Sequence, residues 1–496
     1  MNDIVAIINT LTVEERADFV LKLKQKNKRH DAKNVELFKL LERNPNVKDI
    51  DVLLYGKRSK GAYHALSKRL FDGLVDFLAT KSFKGEKSEE MEIIKLLLSS
   101  RILFEHKVYK IALKVIKKAE TKAKEYELYG ILNEIYYTRV QYAHLDKSIN
   151  LDNLIDDFKS NKLLFQQEEN LNLFYASVQD VLLKNKENIN HTIVSMLSRF
   201  DISIEKGLSY RSLFKIVEIN DKAANITRDF YSLLPFVEKV NNGLKEKEYL
   251  TDKHLFYHIQ ILYYIANSYF RNKEFKVSKD YLILMECEMR KHNNKYYHRF
   301  FPQYILLSVL NFNYSGNFNE AIKTLIEFDF NKFKKQVVYV LGLKLTKAVF
   351  LFQQNRCKEA LSVFKEFKHS DNWYKSKVGE VWVVKKNLTE IMLHIELNNI
   401  DLVQSREKSF RKKHSKYLKE NNEHRVLGFL SLATHFFYNQ NTINRDKFMT
   451  KVKEVLSSTN SEKEDLFVLS FYAWIKAKVA NGNLYESTLQ VITKTN

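Results

Sequence analysis

The sequence predicts an all-α protein built as an array of stacked helix pairs. Only 3 prolines and 12 glycines occur in 496 residues, too few for the turns that a β-rich chain of this length needs. Apolar residues instead recur at helical spacing between short polar turns. A globular domain usually stops at roughly 250 residues, so the recurring pattern favours an array over a single core.

Residues 1–80 are predicted to form a separate helical module with a docking or regulatory role. The segment Thr12-Val13-Glu14-Glu15 has the spacing of a capping box, in which a hydroxyl and a carboxylate bind each other's backbone amides. Three apolar stripes at helical spacing follow, and a basic turn, Tyr55–Gly61, precedes the third. The segment Lys81–Ser88 combines glycine, serine and charged residues, which predicts a linker.

The array itself is predicted to span residues 89–496. From residue 254 onward the copies are in clear phase, because each second helix opens on a small residue and carries a large residue four positions later. These pairs are Ser278 with Leu282, Ala321 with Leu325, and Ala360 with Phe364. Residues 125–250 are helical in pattern but have no clear phase. A weaker copy over Tyr472–Ser487 is predicted to be the terminal cap.

These copies resemble the tetratricopeptide (TPR) repeat, in which a small residue and an aromatic residue mark the first helix, as Ala266 and Tyr269 do here. The resemblance implies a right-handed α-solenoid whose small residues let two helices cross closely. The spacing departs from the family period of about 34 residues, since 43 residues separate Ser278 from Ala321 and 39 separate Ala321 from Ala360. The N-terminal module is similar to the helical head of Bacteroidota-type repeat proteins.

The TPR resemblance also implies a binding groove, because TPR-like proteins hold a peptide or a partner helix in a concave face lined by their first helices. The corresponding positions here are Tyr263, Asn267, Arg271, Leu306, Leu310, Leu345 and Val349. In the family's carboxylate clamp Asn267 matches the asparagine and Arg271 lies one turn further on, but Tyr263 stands where lysine is expected. The other positions are apolar. We therefore expect an amphipathic helix, or a neighbouring segment of the chain, rather than an acidic tail.

A net charge of +21 makes a polyanion the alternative partner, namely RNA or the ribosome. Basic and aromatic residues interleave over Arg290–Phe300 and Arg406–Lys419. The candidate polyanion-binding residues are Arg290, Lys291, Lys295, Arg299, Arg411, Lys412, Lys413 and Lys416. The plainer interpretation, which we favour, is a solvated basic surface beside aromatic core residues. DNA contact through the basic turn Tyr55–Gly61 is a third hypothesis.

No pattern in the sequence indicates catalysis, so we predict a non-enzymatic protein with no catalytic residues, no metal and no cofactor. The glycine spacing of Gly56–Gly61 is that of a phosphate loop, but Ala62 stands where lysine is required. His254 and His258 share one helix face, but Leu255 replaces the glutamate of the metalloprotease motif.

The remaining features favour a reducing compartment. Cys287 and Cys357 lie far apart within helical patterns, which argues against a disulfide framework or a zinc site. No run of about 18 uncharged apolar residues predicts a membrane span. We therefore expect a cytoplasmic scaffold or adaptor that binds another protein, with RNA or ribosome binding as the alternative function.

Overall fold

The structure is a computed structural model that is helical throughout the residues it describes. Helix makes up 84% of the structure, and no strand occurs in these residues. The described residues are 2–11, 13–26, 33–44, 47, 49–81, 88–146, 148–184, 189–202, 208–227, 231, 234–421, 423–440, 442–456 and 466–493. Thr12 of the predicted capping box and residues 82–87 of the predicted linker lie outside them. The predicted all-α class is confirmed.

The chain divides into two compact units, of which the first comprises residues 1–124 and 130–155. Its helices are α1 (Asn2–Thr10), α2 (Val13–Lys26), α3 (Lys33–Arg43), α4 (Ile50–Tyr55), α5 (Lys60–Lys81), α6 (Ser88–Glu105), α7 (Tyr109–Glu125) and α8 (Tyr129–Gln141). Phe19 packs between Phe38 and Phe77, with ring centroids 5.2 and 5.1 Å away. The predicted division into residues 1–80 and 89–496 does not coincide with the two units and stays a prediction.

The second unit comprises residues 125–129 and 156–496. The remaining helices are α9 (Leu151–Lys184), α10 (Ile189–Arg199), α11 (Tyr210–Thr227), α12 (Leu234–Glu246), α13 (Leu255–Arg271), α14 (Phe275–Asn294), α15 (Tyr297–Tyr314), α16 (Phe318–Glu327), α17 (Val337–Gln353), α18 (Cys357–Phe364), α19 (Asp371–Val378), α20 (Glu380–Glu396), α21 (Ile400–Glu420), α22 (His424–Tyr438), α23 (Arg445–Leu456), α24 (Leu466–Ala480) and α25 (Leu484–Thr493). From α10 to α25 each helix packs against the next one along the chain, except that α18 packs against α20.

One type of turn joins helix pairs in both units, among them α13/α14, α15/α16, α17/α18 and α20/α21, which we call the four regular pairs. In these pairs the second residue after the end of each first helix adopts a left-handed conformation. These residues are Lys273 (φ 66°), Gly316 (φ 91°), Asn355 (φ 58°) and Asn398 (φ 55°). The next backbone amide donates to the carbonyl five residues earlier, as Asn317 N does to Phe312 O at 2.8 Å. This bond is the longer one of a Schellman motif, which ends a helix and reverses the chain.

The small residues predicted to open the second helices lie where the paired helices cross. Ser278, Ala321 and Ala360 are each 0% exposed, and each follows its left-handed residue by five positions. The hydroxyl of Ser278 donates to the carbonyl of Ala266 at 2.8 Å, so two predicted small positions meet across one pair. Val403 takes the equivalent place in α21 and is also fully buried. The regular pairs thus extend one pair beyond the phased sequence pattern.

Helices α24 and α25, which contain the segment predicted to be the terminal cap, also contact helices of the second unit that are far from them in the sequence. Leu469 belongs to the core cluster built from α13–α15. Phe471 instead stacks on Phe429 of α22, with centroids 4.4 Å apart, and the Tyr485 hydroxyl of α25 donates to the carbonyl of Asn313 at 2.7 Å. A terminal cap contacts only the preceding repeat, whereas α24 packs against α22 and the core cluster of α13–α15 as well as against α25.

Candidate functional site

A cavity of about 280 Å³ opens along the first helices of the four regular pairs. We call it the groove cavity. Its lining residues are Phe270, Arg271, Leu306, Leu310, Tyr314, Gly342, Leu345, Thr346, Val349, Phe350, Trp382, Lys385 and Leu466. All but the last belong to α13, α15, α17 or α20, and Leu466 belongs to α24. Four helices that together span more than a hundred residues of chain therefore share one surface.

Spacing along each helix explains why these side chains meet. Leu306 and Leu310 are four residues apart on α15, and Leu345 and Val349 are four apart on α17. Side chains at i and i+4 lie on the same helix face. Because the same turn geometry closes both pairs, Leu306 and Leu310 of α15 take positions equivalent to those of Leu345 and Val349 of α17, and the two helices present these residues to one cavity.

Gly342 keeps the cavity open between α15 and α17. A Cβ atom at this position would lie 3.2 Å from Leu306 Cδ2, closer than ordinary contact. Glycine in a helix interior costs roughly 1 kcal/mol relative to alanine. The residue therefore widens the cavity at some cost to helix stability.

The groove cavity is mainly apolar but carries a few polar groups. Arg271 and Lys385 bring positive charges from α13 and α20, and Thr346 adds a hydroxyl. The indole N–H of Trp382 is buried and has no acceptor within the described structure. An apolar surface with a few polar and charged groups suits a mainly apolar ligand that also carries polar groups.

The structure brings together five of the seven predicted groove residues. Arg271, Leu306, Leu310, Leu345 and Val349 all line the groove cavity, and two candidates do not.

Asn267, which is buried, and Tyr263, which is half-buried, do not line the groove cavity. Asn267 is 7% exposed and its amide donates to Asp221 Oδ1 of α11 at 2.9 Å. Burial raises the pKa of the Tyr263 hydroxyl well above its ordinary value. Both side chains thus take part in contacts inside the unit, and a carboxylate beside Asn267 opposes the binding of an anionic ligand there.

Sequence reasoning missed the part of the groove cavity that comes from later helices. Trp382 and Lys385 are three residues apart on α20. The register of α15 and α17 carried to this helix instead gives Leu388 and Met392, which are buried and do not line the cavity. No local signal marks Leu466, because it joins the cavity from a helix that packs far from its neighbours in sequence.

The first basic cluster is largely paired with acidic or aromatic side chains. Arg290 pairs with Glu286 at 2.6 Å, and Lys291 pairs with Asp252 at 2.9 Å. Two further cations lie over aromatic rings. These are Lys295 over Tyr296 at 5.1 Å and Arg299 over Phe256 at 5.1 Å. The cluster therefore offers less free positive charge than its sequence indicates.

The second basic cluster lies on α21 and is paired less completely. Arg411 contacts Glu407 at 2.8 Å and Lys413 contacts Asp371 at 2.7 Å. Lys416 is 3.9 Å from Glu420, with both side chains largely exposed. Lys412 is exposed and pairs with no carboxylate of the described chain.

The two predicted helix-face histidines are part of a buried polar cluster. The ring of His254 stacks on Tyr210 with centroids 5.0 Å apart, and His258 Nδ1 lies 2.6 Å from the Tyr210 hydroxyl. Burial lowers the pKa of His254 and of His258 to about 4 in each case. Among the described residues, no group of three His, Cys, Asp or Glu side chains is arranged to hold a metal ion.

Comparisons with protein-family models, with curated proteins and with solved structures find no match to this chain. No helix among the described residues is sufficiently long and apolar to cross a membrane. The functional inference therefore depends on the geometry of the groove cavity and on the distribution of charge.

Proposed function

We propose that this chain is a non-enzymatic scaffold or adaptor that binds a partner protein in the groove cavity. In this proposal the second unit is a right-handed α-solenoid of TPR-like helix pairs. The main support is that the first helices of four consecutive regular pairs line one cavity. A shared face of successive first helices is where a repeat array binds an extended or helical ligand.

The lining favours an amphipathic partner helix with an acidic face. Leu306, Leu310 and Val349 accept apolar side chains, which enter such grooves at i, i+3, i+4 and i+7 spacing. Arg271 and Lys385 lie on the same cavity and complement acidic side chains of the partner. The net charge of +21 accelerates encounter with an acidic protein.

The experiment compares pull-downs by the unaltered chain, Leu306→Glu and Ile326→Glu, each quantified by mass spectrometry against the source organism's extract. Ile326 is the matched control, because it is an apolar side chain that is 62% exposed on α16, outside the groove cavity. We expect a partner protein that the unaltered chain and Ile326→Glu retain equally and that Leu306→Glu loses by about tenfold, since a buried charge in the groove costs more than 1.4 kcal/mol.

Circular dichroism and thermal unfolding establish that each variant is folded. The proposal is wrong if folded Leu306→Glu keeps every partner of the unaltered chain, or if the chain captures no reproducible partner and instead converts a substrate.

A second candidate function is binding of RNA or the ribosome through α21. It is favoured by the net charge of +21 and by the exposed ammonium of Lys412, and Lys416 has only a distant partner. Phosphate contacts release counterions, so affinity falls linearly with salt on a log–log scale.

A filter-binding titration with ribosomal RNA tests this candidate. We expect the double variant Lys412→Glu/Lys416→Glu to bind more weakly and with a shallower salt slope. Lys323→Glu/Lys358→Glu makes the same charge change on α16 and α18 and serves as the control. No retention of RNA at about 50 mM salt, or equal effects of the two double variants, would count against binding through α21.

A further inference from the structure

A second cavity, of about 240 Å³, lies where the turns of three helix pairs meet. We call it the turn cavity. Gln353 ends α17, Glu396 ends α20, and Asn481–Asn483 joins α24 to α25. Lys478 of α24 also lines it. The turn cavity shares no lining residue with the groove cavity, so any ligand it binds is independent of the proposed partner site.

Gln353 lines the turn cavity, and the nitrogen of its side-chain amide has no hydrogen-bond partner in the described structure. Its side chain is buried, with 2% of the residue exposed. The Oε1 atom accepts from Asn313 Nδ2 at 3.0 Å, while Nε2 has no partner in the described structure. Exchanging the oxygen and nitrogen of both amides still leaves one polar atom of Gln353 unpaired. A buried polar atom without a partner costs about 1–3 kcal/mol, so a ligand that supplies one stabilises the site.

An ion pair gives the turn cavity both signs of charge. Glu396, whose side chain is 12% exposed, accepts a hydrogen bond from the Trp474 indole N–H at 2.7 Å. It also accepts one from the ammonium of Lys478. The carboxylate is thus held in place, whereas the lysine, with its side chain 35% exposed, has room to move toward a ligand.

The amino end of α25 also borders the turn cavity. Asn483 precedes the helix, and its side-chain oxygen accepts from the backbone amide of Glu486 at 3.0 Å. Leu484, the first residue of α25, lines the cavity. The first amides of a helix and its dipole favour an anionic group. Together with the Gln353 amide, they provide the donors that a carboxylate requires.

We infer that the turn cavity binds a free α-amino acid. The ligand's ammonium group would pair with Glu396, and its carboxylate would accept from the Gln353 amide, from Lys478 and from the amino end of α25. Each charge of the Glu396–Lys478 pair then keeps an opposite charge beside it, which a simple anion or cation cannot provide. A volume of about 240 Å³ is below the range of about 300–1,000 Å³ typical of drug-sized ligands, which fits a molecule this small.

Thermal unfolding and calorimetry with the full chain test the inference. The probes are glycine, leucine, glutamate and glutamine, each at up to about 10 mM. At this concentration a ligand with a dissociation constant of about 1 mM raises the unfolding temperature measurably. We expect at least one to bind. Its N-acetyl form lacks the ammonium group and its amide form lacks the carboxylate, so each should bind at least about tenfold more weakly.

The test variant is Glu396→Gln, which keeps an acceptor for Trp474 but removes the charge. Its control is Glu359→Gln, the same change at an exposed carboxylate of α18 that pairs with Arg356. We expect Glu396→Gln to weaken binding at least about tenfold and Glu359→Gln to leave it unchanged.

A direct readout avoids any effect of the variants on stability. The chain has 3 tryptophans, so 5-fluorotryptophan labelling gives three fluorine signals, and Trp474→Phe identifies the one in the turn cavity. We expect a bound amino acid to shift that signal. If no amino acid shifts it or binds at about 10 mM, the cavity holds only water and the inference is wrong. The inference is also wrong if acetate binds as tightly as the amino acid, or if Glu396→Gln and Glu359→Gln bind the amino acid equally well.

Discussion

The groove residues and the basic clusters, both predicted from the sequence, differ in the structure. Most of the groove residues converge on one cavity, whereas many of the basic residues pair with acidic or aromatic neighbours. Apolar residues such as Leu306 and Val349, 43 positions apart, converge on one cavity. Several of the candidate basic residues instead pair with acidic neighbours, as Arg290 does with Glu286 and Lys413 does with Asp371. An apolar face has to be buried against something, whereas a charged side chain is satisfied by the nearest acid or by water.

The comparison predicts that truncation in the groove cavity costs most. Phe350 is 1% exposed and packs edge-on against Tyr314, with centroids 6.3 Å apart. Phe350→Ala should lower the free energy of unfolding by about 3–5 kcal/mol, since it leaves a cavity in a packed interior. Chemical denaturation followed by circular dichroism measures the change. Ile326→Ala, an exposed apolar truncation on α16, should stay within about 0.5 kcal/mol, and equal losses would remove the distinction.

The two buried histidines, His254 and His258, should make the stability of the chain depend on pH. Well above pH 6.5, at about pH 8 for example, both are neutral in the folded and in the unfolded chain. Between pH 6.5 and 4 the unfolded chain binds protons that the folded chain does not, because burial lowers both pKa values to about 4. Stability should therefore fall over this range, by roughly 3 kcal/mol for each histidine.

The measurement is the free energy of unfolding from pH 7 to pH 4 for the unaltered chain and for His258→Gln. The variant has one titrating histidine fewer, so its stability should fall less steeply. Identical slopes would show that other groups dominate the acid response.

Two glycines inside helices differ in how closely they are packed. Gly428 lies in a packed interior, whereas Gly342 borders the groove cavity. A Cβ at Gly428 would lie 2.5 Å from Val455 Cγ1, and valine has little rotamer freedom with which to move away. Gly428→Ala should therefore cost about 1–3 kcal/mol. At Gly342 the nearest atom is the flexible end of Leu306, 3.2 Å away, and alanine favours the helix. Gly342→Ala should change the free energy of unfolding by less than about 1 kcal/mol. The opposite ranking in thermal unfolding would mean that the groove is already closely packed there.

The smallest effect is expected within the basic cluster of α21. Lys413 pairs with Asp371 at 2.7 Å, whereas its neighbour Lys412 pairs with no carboxylate of the described chain. Lys413→Ala should cost about 0.2–1 kcal/mol, the usual range for exposed pairs, and Lys412→Ala less. The difference should shrink when the denaturation is repeated in about 1 M salt, where the Debye length is about 3 Å. A larger cost for Lys412→Ala would point to a contact that the structure does not contain.

Most of the local architecture could be predicted from residue spacing. The small residues Ser278, Ala321 and Ala360 lie at close helix crossings, as their positions indicate, and five of the seven groove candidates line one cavity. Asn267 could not be placed in the same way. Its amide binds Asp221 on α11, a helix from the region whose repeat phase is not apparent in the sequence.

The sequence by itself determines that the chain is helical, where several of its helix pairs begin, and which residue types each helix presents on one face. These properties depend on interactions within a few residues, such as i, i+4 spacing and the left-handed turn residue. Tertiary structure alone decides that α24 lies inside the second unit and that Leu466 joins the groove cavity. It also brings Gln353, Glu396 and Lys478 together at the turn cavity. Such contacts join residues that are up to about two hundred positions apart, and no local propensity specifies them.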